Sequence, residues 1–274
     1  MTMAHTLSPL APLLVELLVE ELPPKALSKL GQAFAHGIFS QLQSQGLLAE
    51  AAQIKSFASP RRLAVHIDKV LTQAPARQVQ HKLMPVSVGL DAQGQATPAL
   101  LKKLGALGFD AAVVAQLQRT GEGKAEVLML DQTVDGMGLV PGLQLALEHA
   151  LAKLPIPKVM SYQLEQGCEL PGWSSVSFVR PAHGLLALHG ADVVPLQALG
   201  LTSGNSTQGH RFEASVSPVV IQHADQYAET LEKDGAVIAS FLVRKMEIVR
   251  QLAAAAASIG GGVKPIEDEA LLDE

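Results

Sequence analysis

Cysteine is nearly absent from this sequence. Cys168 is the only one, which excludes an internal disulfide framework and any multi-cysteine zinc site. Such sparing use fits a reducing compartment. Charged residues are also scarce, 17% of the chain against 48% hydrophobic. A chain of 274 residues with that balance buries a large core, and general disorder is excluded. Positive charge is not in excess: 21 Lys and Arg face 26 Asp and Glu, for a net charge of −5. A surface that is basic throughout is therefore ruled out. A local basic patch is not, because a nucleic acid responds to the local field. Long apolar runs are missing as well. Leu13-Leu14-Val15 is broken by Glu16, and Leu17-Leu18-Val19 is closed by Glu20 and Glu21. No stretch reaches the roughly 20 apolar residues of a membrane helix, and no basic region of the secretory kind opens the chain. The expectation is a soluble, cytoplasmic protein with no membrane partner.

Familiar catalytic signatures are lacking too. There is no GxxxxGK[ST] phosphate loop, no GxGxxG after a strand, no HExxH and no GxSxG elbow. No catalytic residue and no metal site are assigned.

Residues 13–20 read as a buried strand, which Pro23-Pro24 ends. Leu27, Leu30, Phe34, Ile38 and Leu42 then recur every three or four residues, the spacing of one helix face. Proline suits the helix start, where its missing N–H is no loss, and Gly46 suits the end. A strand near Ile54–Ala58 turns at Ser59-Pro60-Arg61-Arg62, and Leu63, Val65 and Ile67 alternate as a half-buried strand does. Residues 72–98, rich in Gln, Pro and Gly, read as a connector. Helical spacing returns at Leu100–Leu107, at Val113–Leu117 and at Leu143–Leu151, with a strand at Glu126–Leu130. Between Val176 and Leu201 the pattern is β, with a turn at Gly190-Ala191-Asp192 and an edge strand marked by Pro195. Ala224–Asp234 reads as a short helix. A longer one is expected to carry Ile238, Phe241, Leu242, Ile248, Val249 and Leu252 inward until Gly260-Gly261-Gly262 stops it. The predicted class is α+β, with mixed or antiparallel sheets, packed helices and a helical C-terminal segment. Its expected parts are an N-terminal α+β part at 1–72 and a connector with a small helical unit at 73–160. A β-rich part at 161–222 and a helical segment at 223–274 follow.

Three charged motifs stand out. Arg61-Arg62 at a turn either grips a phosphate or carboxylate bidentately, or consists of one solvated arginine and one paired with Glu20-Glu21. Arg180 and His183, where a strand gives way to a bend, either hold an anion or stitch neighbouring strands. Gly209-His210-Arg211-Phe212 follows a polar stretch, so His210 and Arg211 are candidates for RNA contact. Phe212 is read as either a stacking platform or a core residue. Cys168 would serve a hydrolase only with a base and an orienting group beside it.

Taken in order, several segments carry a resemblance. Val19-Glu20-Glu21-Leu22-Pro23-Pro24-Lys25-Ala26-Leu27, Phe57-Ala58-Ser59-Pro60-Arg61-Arg62-Leu63-Ala64-Val65 and Leu151 to Met160 resemble successive signatures of the bacterial glycyl-tRNA synthetase β subunit. Ser177 to His183, Gly209 to Phe212 and Ala224-Asp225-Gln226-Tyr227 continue the series. The resemblance implies the N-terminal portion of the β subunit of an α2β2 ligase that charges tRNA(Gly) with glycine at the expense of ATP. It further implies that ATP and Mg bind at the α subunit, with no cofactor in this portion. The β portion would contribute tRNA binding and assembly, with HD-like and anticodon-binding domains beyond residue 274. Arg61, Arg62, Arg180, His183, His210 and Arg211 are then the candidate contacts to tRNA or to the α subunit. The rival readings are an editing-type or unrelated hydrolase and a scaffold that touches no RNA.

Overall fold

A computed structural model describes residues 8–91, 93–121, 126–156 and 158–274. The chain is α+β and divides into two compact units, residues 1–74 with 137–274, and residues 75–136.

The first unit is built on β1 (Leu10–Val19), whose burial is continuous from Leu13 onward. The Pro23-Pro24 pair then opens α1 (Pro24–Ser44), which carries the expected Leu27, Leu30, Phe34, Ile38 and Leu42 inward. β2 (Ile54–Ser59) and β3 (Arg62–Leu71) form the expected hairpin about Pro60-Arg61. Later in this unit come α4 (Leu139–Ala152), the hairpin β7 (Met160–Gln163) and β8 (Ser175–Phe178), and β9 (Ala182–His189) with β10 (Asp192–Val193). Pro157, in the segment between α4 and β7, lies outside the described residues.

β10, β9, β1, β3 and β2 make one sheet in that order, antiparallel throughout. The stretch read as a separate β-rich part thus supplies the other neighbour of β1. Gly190, at φ 64°, makes the β9–β10 turn where the sequence placed it. Alternation on β1 divides the sheet into two buried faces. Leu13, Val15 and Leu17 stand opposite Ile67, Val65 and Leu63 of β3 and pack with α1 and α4. Leu14, Glu16 and Leu18 point the other way.

That second face is covered by the chain from Ser206 onward, whereas Ala198, Leu199 and Leu201 before it pack against the core of the first face. Two short hairpins, β11 (Gln197–Ala198) with β12 (Leu201–Thr202) and β13 (Ser206–Thr207) with β14 (Val219–Val220), lead to a 3-10 turn at Ala224–Gln226 and α5 (Tyr227–Lys233). Val219, Ile221, Ala224, Tyr227, Leu231 and Ala239 cover Leu14, Ala64, Leu186 and Leu188. The Phe57 and Tyr227 rings meet edge to face at 5.2 Å. α6 (Phe241–Ile259) and α7 (Glu269–Asp273) follow.

One expectation fails in α6. The spacing of Leu242, Ile248, Val249 and Leu252 predicts an inward face, yet all four are exposed, Leu242 at 70%. Only Ala256 of this helix is buried. Apolar spacing shows that a helix has an apolar face, not that this unit covers it.

The second unit holds β4 (Arg77–Pro85), α2 (Val86–Gly89), α3 (Pro98–Ala106), a 3-10 turn at Ala111–Gln116, β5 (Gln118–Thr120) and β6 (Val127–Val134). The strands pair antiparallel in the order β4, β6, β5. Leu100, Leu104, Leu128 and Leu130 form its core. The Thr97 hydroxyl caps α3 by accepting the Leu100 N–H at 3.4 Å, ahead of Pro98 in the first turn. β4 falls within the stretch read as a connector. Its side chains alternate between exposed and half-buried from Gln78 to Leu83, but with Gln, His and Lys among them the apolar signal is weak, and the ladder to β6 makes it a strand.

His189 ends β9 in the core of the first unit. Its Nε2–H donates to the Val70 carbonyl at 2.8 Å, and its Nδ1 is buried without a hydrogen-bond partner. A second proton would have to sit on that Nδ1. Burial accordingly lowers the His189 pKa, outweighing the Val70 carbonyl and Asp192, which act the other way. Between the lowered folded value and the ordinary one of about 6.5, the unfolded chain binds a proton that the folded chain does not. Stability is therefore full above that window and falls as pH drops through it. The melting temperature should decline on acidification from about pH 8 to 5.5. His189→Gln, which keeps a donor and cannot titrate, should flatten that decline. An unchanged slope would remove His189 as its source.

Candidate functional site

The site begins with a carboxylate inside the protein. Glu16 interrupts an apolar strand, and pairing on both sides of β1 leaves it 1% exposed on the second sheet face. A buried carboxylate must be hydrogen-bonded or paired, and three groups meet it. The Thr207 hydroxyl donates to Oε1 and the Tyr227 hydroxyl to Oε2. Arg62 Nε stands 3.5 Å from Oε2, an ion pair with both side chains out of solvent. Burial, reinforced by the Glu16 carboxylate, pushes the Tyr227 hydroxyl well above its usual pKa, so it remains a donor. Arg62, 3% exposed, also donates to the Gln208 carbonyl. The buried cluster thus pins the residue just before Gly209-His210-Arg211-Phe212.

Glycine completes the placement of that loop. A Cβ on Gly209 would lie 2.6 Å from the Gly235 carbonyl oxygen and 2.7 Å from both Gly235 Cα and the Ala214 Cβ. Only glycine lets the two backbones approach so closely, and the His210 N–H donates to the Gly235 carbonyl at 2.7 Å. The His210 ring is held in turn: its Nδ1 accepts from the backbone N–H groups of Phe212, at 3.3 Å, and Glu213, at 3.2 Å. With Nδ1 an acceptor, the proton of the neutral ring belongs on Nε2. The His210 and Phe212 rings lie edge to face at 6.1 Å.

These elements enclose a cleft of about 410 Å³. The β2–β3 turn contributes Arg61 and Arg62, the end of β1 contributes Glu20 and Glu21, and the loop contributes His210, Arg211 and Phe212. Arg244, on the first turns of α6, closes it. Its guanidinium donates to the carbonyls of Ala58, at 3.0 Å, and Ile238, at 3.1 Å, and lies 5.4 Å from the centre of the Phe241 ring. Burial lowers the Arg244 pKa, short of discharging a guanidinium at neutral pH. Among the described residues neither Arg211 nor Arg244 has a carboxylate in ion-pair distance. Glu20 is committed elsewhere: its Oε1 lies 3.0 Å from Arg61 and 3.0 Å from His183.

Of the six candidate residues, the structure brings Arg61, Arg62, His210 and Arg211 together around one cleft. Arg62 forms its floor rather than its surface. Arg180 and His183 stand behind the Glu20-Glu21 edge, Arg180 donating to the Glu21 carbonyl at 2.9 Å. Arg244 escaped the sequence reading because no motif surrounds it. Its one local signal was Phe241, three residues earlier, a spacing that puts both side chains on one helix face. Cys168 lies apart. Its thiol donates to the Leu164 carbonyl at 3.5 Å, and the depression beside it, with Gln144, Glu148 and Glu169 in its lining, contains no histidine among the described residues. None of the described residues supplies a hydrolytic thiol with an imidazole base there.

Comparison with known proteins agrees with the motif series. The family model described as glycyl-tRNA synthetase beta subunit matches residues 13–274. The glycine--tRNA ligase beta subunit of Paracidovorax citrulli (strain AAC00-1) is 64% identical over 263 residues, covering 96% of this chain and 37% of that protein. Its counterpart in Polaromonas naphthalenivorans (strain CJ2) is 65% identical with the same coverage, and that of Methylobacillus flagellatus is 60% identical over 270 residues. The chain therefore spans 37% of the length of these relatives. It belongs to the glycyl-tRNA synthetase beta subunit family.

Proposed function

We propose that this chain is the non-catalytic N-terminal portion of the β subunit of an α2β2 glycine–tRNA ligase. In this reading it contributes tRNA binding and subunit assembly to the ATP-dependent charging of tRNA(Gly). ATP and Mg act at the α subunit, and the assembly works in the cytoplasm. The observation that carries the tRNA part is the cleft. In a chain with a net charge of −5, Arg62 is paired with buried Glu16 and Arg61 with Glu20, while Arg211 and Arg244 line the cleft without carboxylate partners among the described residues. That is the local positive field a phosphate backbone requires.

The test is a charging assay with purified α subunit and a full-length β subunit carrying this segment, with Arg61→Ala and Arg211→Ala combined. Losing two phosphate contacts should raise the KM for tRNA(Gly) by about thirtyfold or more, at no less than about 1 kcal/mol per charge-assisted bond. Assembly with α and ATP–pyrophosphate exchange should be unchanged. An unchanged KM would overturn the tRNA assignment. Collapse of exchange in an intact assembly would overturn the non-catalytic one.

A further inference from the structure

The same cleft points to a narrower ligand class, and this inference rests on the tRNA reading above. We propose that it receives an unpaired nucleotide of a single-stranded RNA segment. The base stacks on Phe212, and neighbouring phosphates of the segment are held by Arg211, Arg244 and Arg61, one arginine to each.

Phe212 is the first reason. A phenylalanine at the end of a polar loop normally turns into the core, yet this ring is 82% exposed. It is not loosely exposed. Its backbone N–H is fixed on His210 Nδ1 at 3.3 Å, and its ring meets the imidazole edge to face. An edge-to-face neighbour leaves a ring face uncovered, which is what a stacking base needs.

The polar groups around the ring supply the second. Arg211, next in the chain, is exposed and without an ion-pair partner among the described residues. Arg244 reaches only backbone carbonyls with the hydrogen bonds it makes, which leaves its positive charge uncompensated. His210 carries its proton on Nε2, where no partner meets it among the described residues. Glu21 lines the cleft as an exposed carboxylate. It would repel a phosphate placed against it, but accepts from the exocyclic amine of a base. Cation, donor, acceptor and aromatic face together match a nucleotide better than they match a bare anion.

Shape supplies the third. In the interior of an A-form duplex the bases are stacked on both sides, and none offers a face to Phe212. A cleft of about 410 Å³ admits a splayed nucleotide and not a helix. An acidic peptide would satisfy the arginines while leaving the exposed ring unused.

The probe is a fluorescein-labelled single-stranded RNA octamer of mixed sequence, titrated with this chain by anisotropy. A blunt duplex of the same strand and a glutamate decamer serve as competitors. The octamer should bind, and Phe212→Ala should weaken it about tenfold, the usual cost of one lost base stack. Phe212→Trp should restore it. Because the side chain is exposed, neither change threatens the fold. Affinity unmoved by Phe212→Ala, or equal competition by the duplex, would overturn the stacking proposal while the chain still binds tRNA(Gly). Stronger competition by the glutamate decamer would overturn it in favour of a protein carboxylate. Failure to bind either the octamer or tRNA(Gly) would overturn both readings.

Discussion

Replacing Glu16 by Ala should destabilise this protein by about 3–5 kcal/mol, because it strands a buried guanidinium. Arg62 is out of solvent and has Glu16 as its ion-pair partner. Without that carboxylate the Arg62 charge faces a low-dielectric interior, and the Tyr227 and Thr207 hydroxyls lose their acceptor. At the two to four degrees per kcal/mol usual for a chain of this size, the melting temperature should fall by roughly 10 °C, as read by calorimetry. The double change Glu16→Leu with Arg62→Met should recover most of the loss, since a buried ion pair is often replaceable by apolar groups of similar volume. A drop below about 1 kcal/mol in Glu16→Ala would mean the pair is not buried as described.

Phe34→Ala should cost about as much, roughly 3–5 kcal/mol, for a different reason. Phe34 is fully buried in α1, in one cluster with Val15, Leu17, Val65, Leu143 and Leu147 from β1, β3 and α4. Truncation removes the transfer free energy of the ring and leaves a cavity where helix and sheet layers meet. The neighbours are already close. Gly31, one turn earlier, has no room even for a Cβ, which would lie 2.6 Å from that of Ala58. Collapse of α1 onto the sheet is therefore limited, and the cost should sit toward the upper end. Phe34→Leu, which keeps most of the volume, should lose less than half as much in denaturant titration. Equal losses for the two variants would show that the ring volume is not what matters.

Elements with strong local signals were readable in the sequence. The spacing of Leu27 to Leu42, the turn at Ser59 to Arg62 and the turn at Gly190 each carry their own pattern. Features decided by distant partners were not. β4 alternates only weakly, with Val79 and Leu83 the apolar members of its half-buried side, and depends on β6 some fifty residues away. The pairing of β1 with β9 joins residues about 170 apart, which no periodicity encodes. Glu16 appeared only as a break in an apolar run. Its burial follows from strands on both sides and from the layer carrying Tyr227. For the same reason the motif arginines could be named but not sorted. Arg62 belongs inside, Arg61 on a half-buried edge and Arg211 outside, and that division comes from tertiary packing alone. Arg244 needed the structure to be noticed at all.

The most direct test of the account is equilibrium binding of this chain to tRNA(Gly) across a salt series, for the natural sequence and for Arg211→Ala. With Arg61, Arg211 and Arg244 on phosphate, the plot of log affinity against log salt should have a slope of about −2 to −3. Arg211→Ala should make it shallower by roughly 0.7 to 0.9, the share of one phosphate contact. Affinity independent of salt, or a slope the substitution leaves unchanged, would contradict the cleft as the RNA-contacting surface.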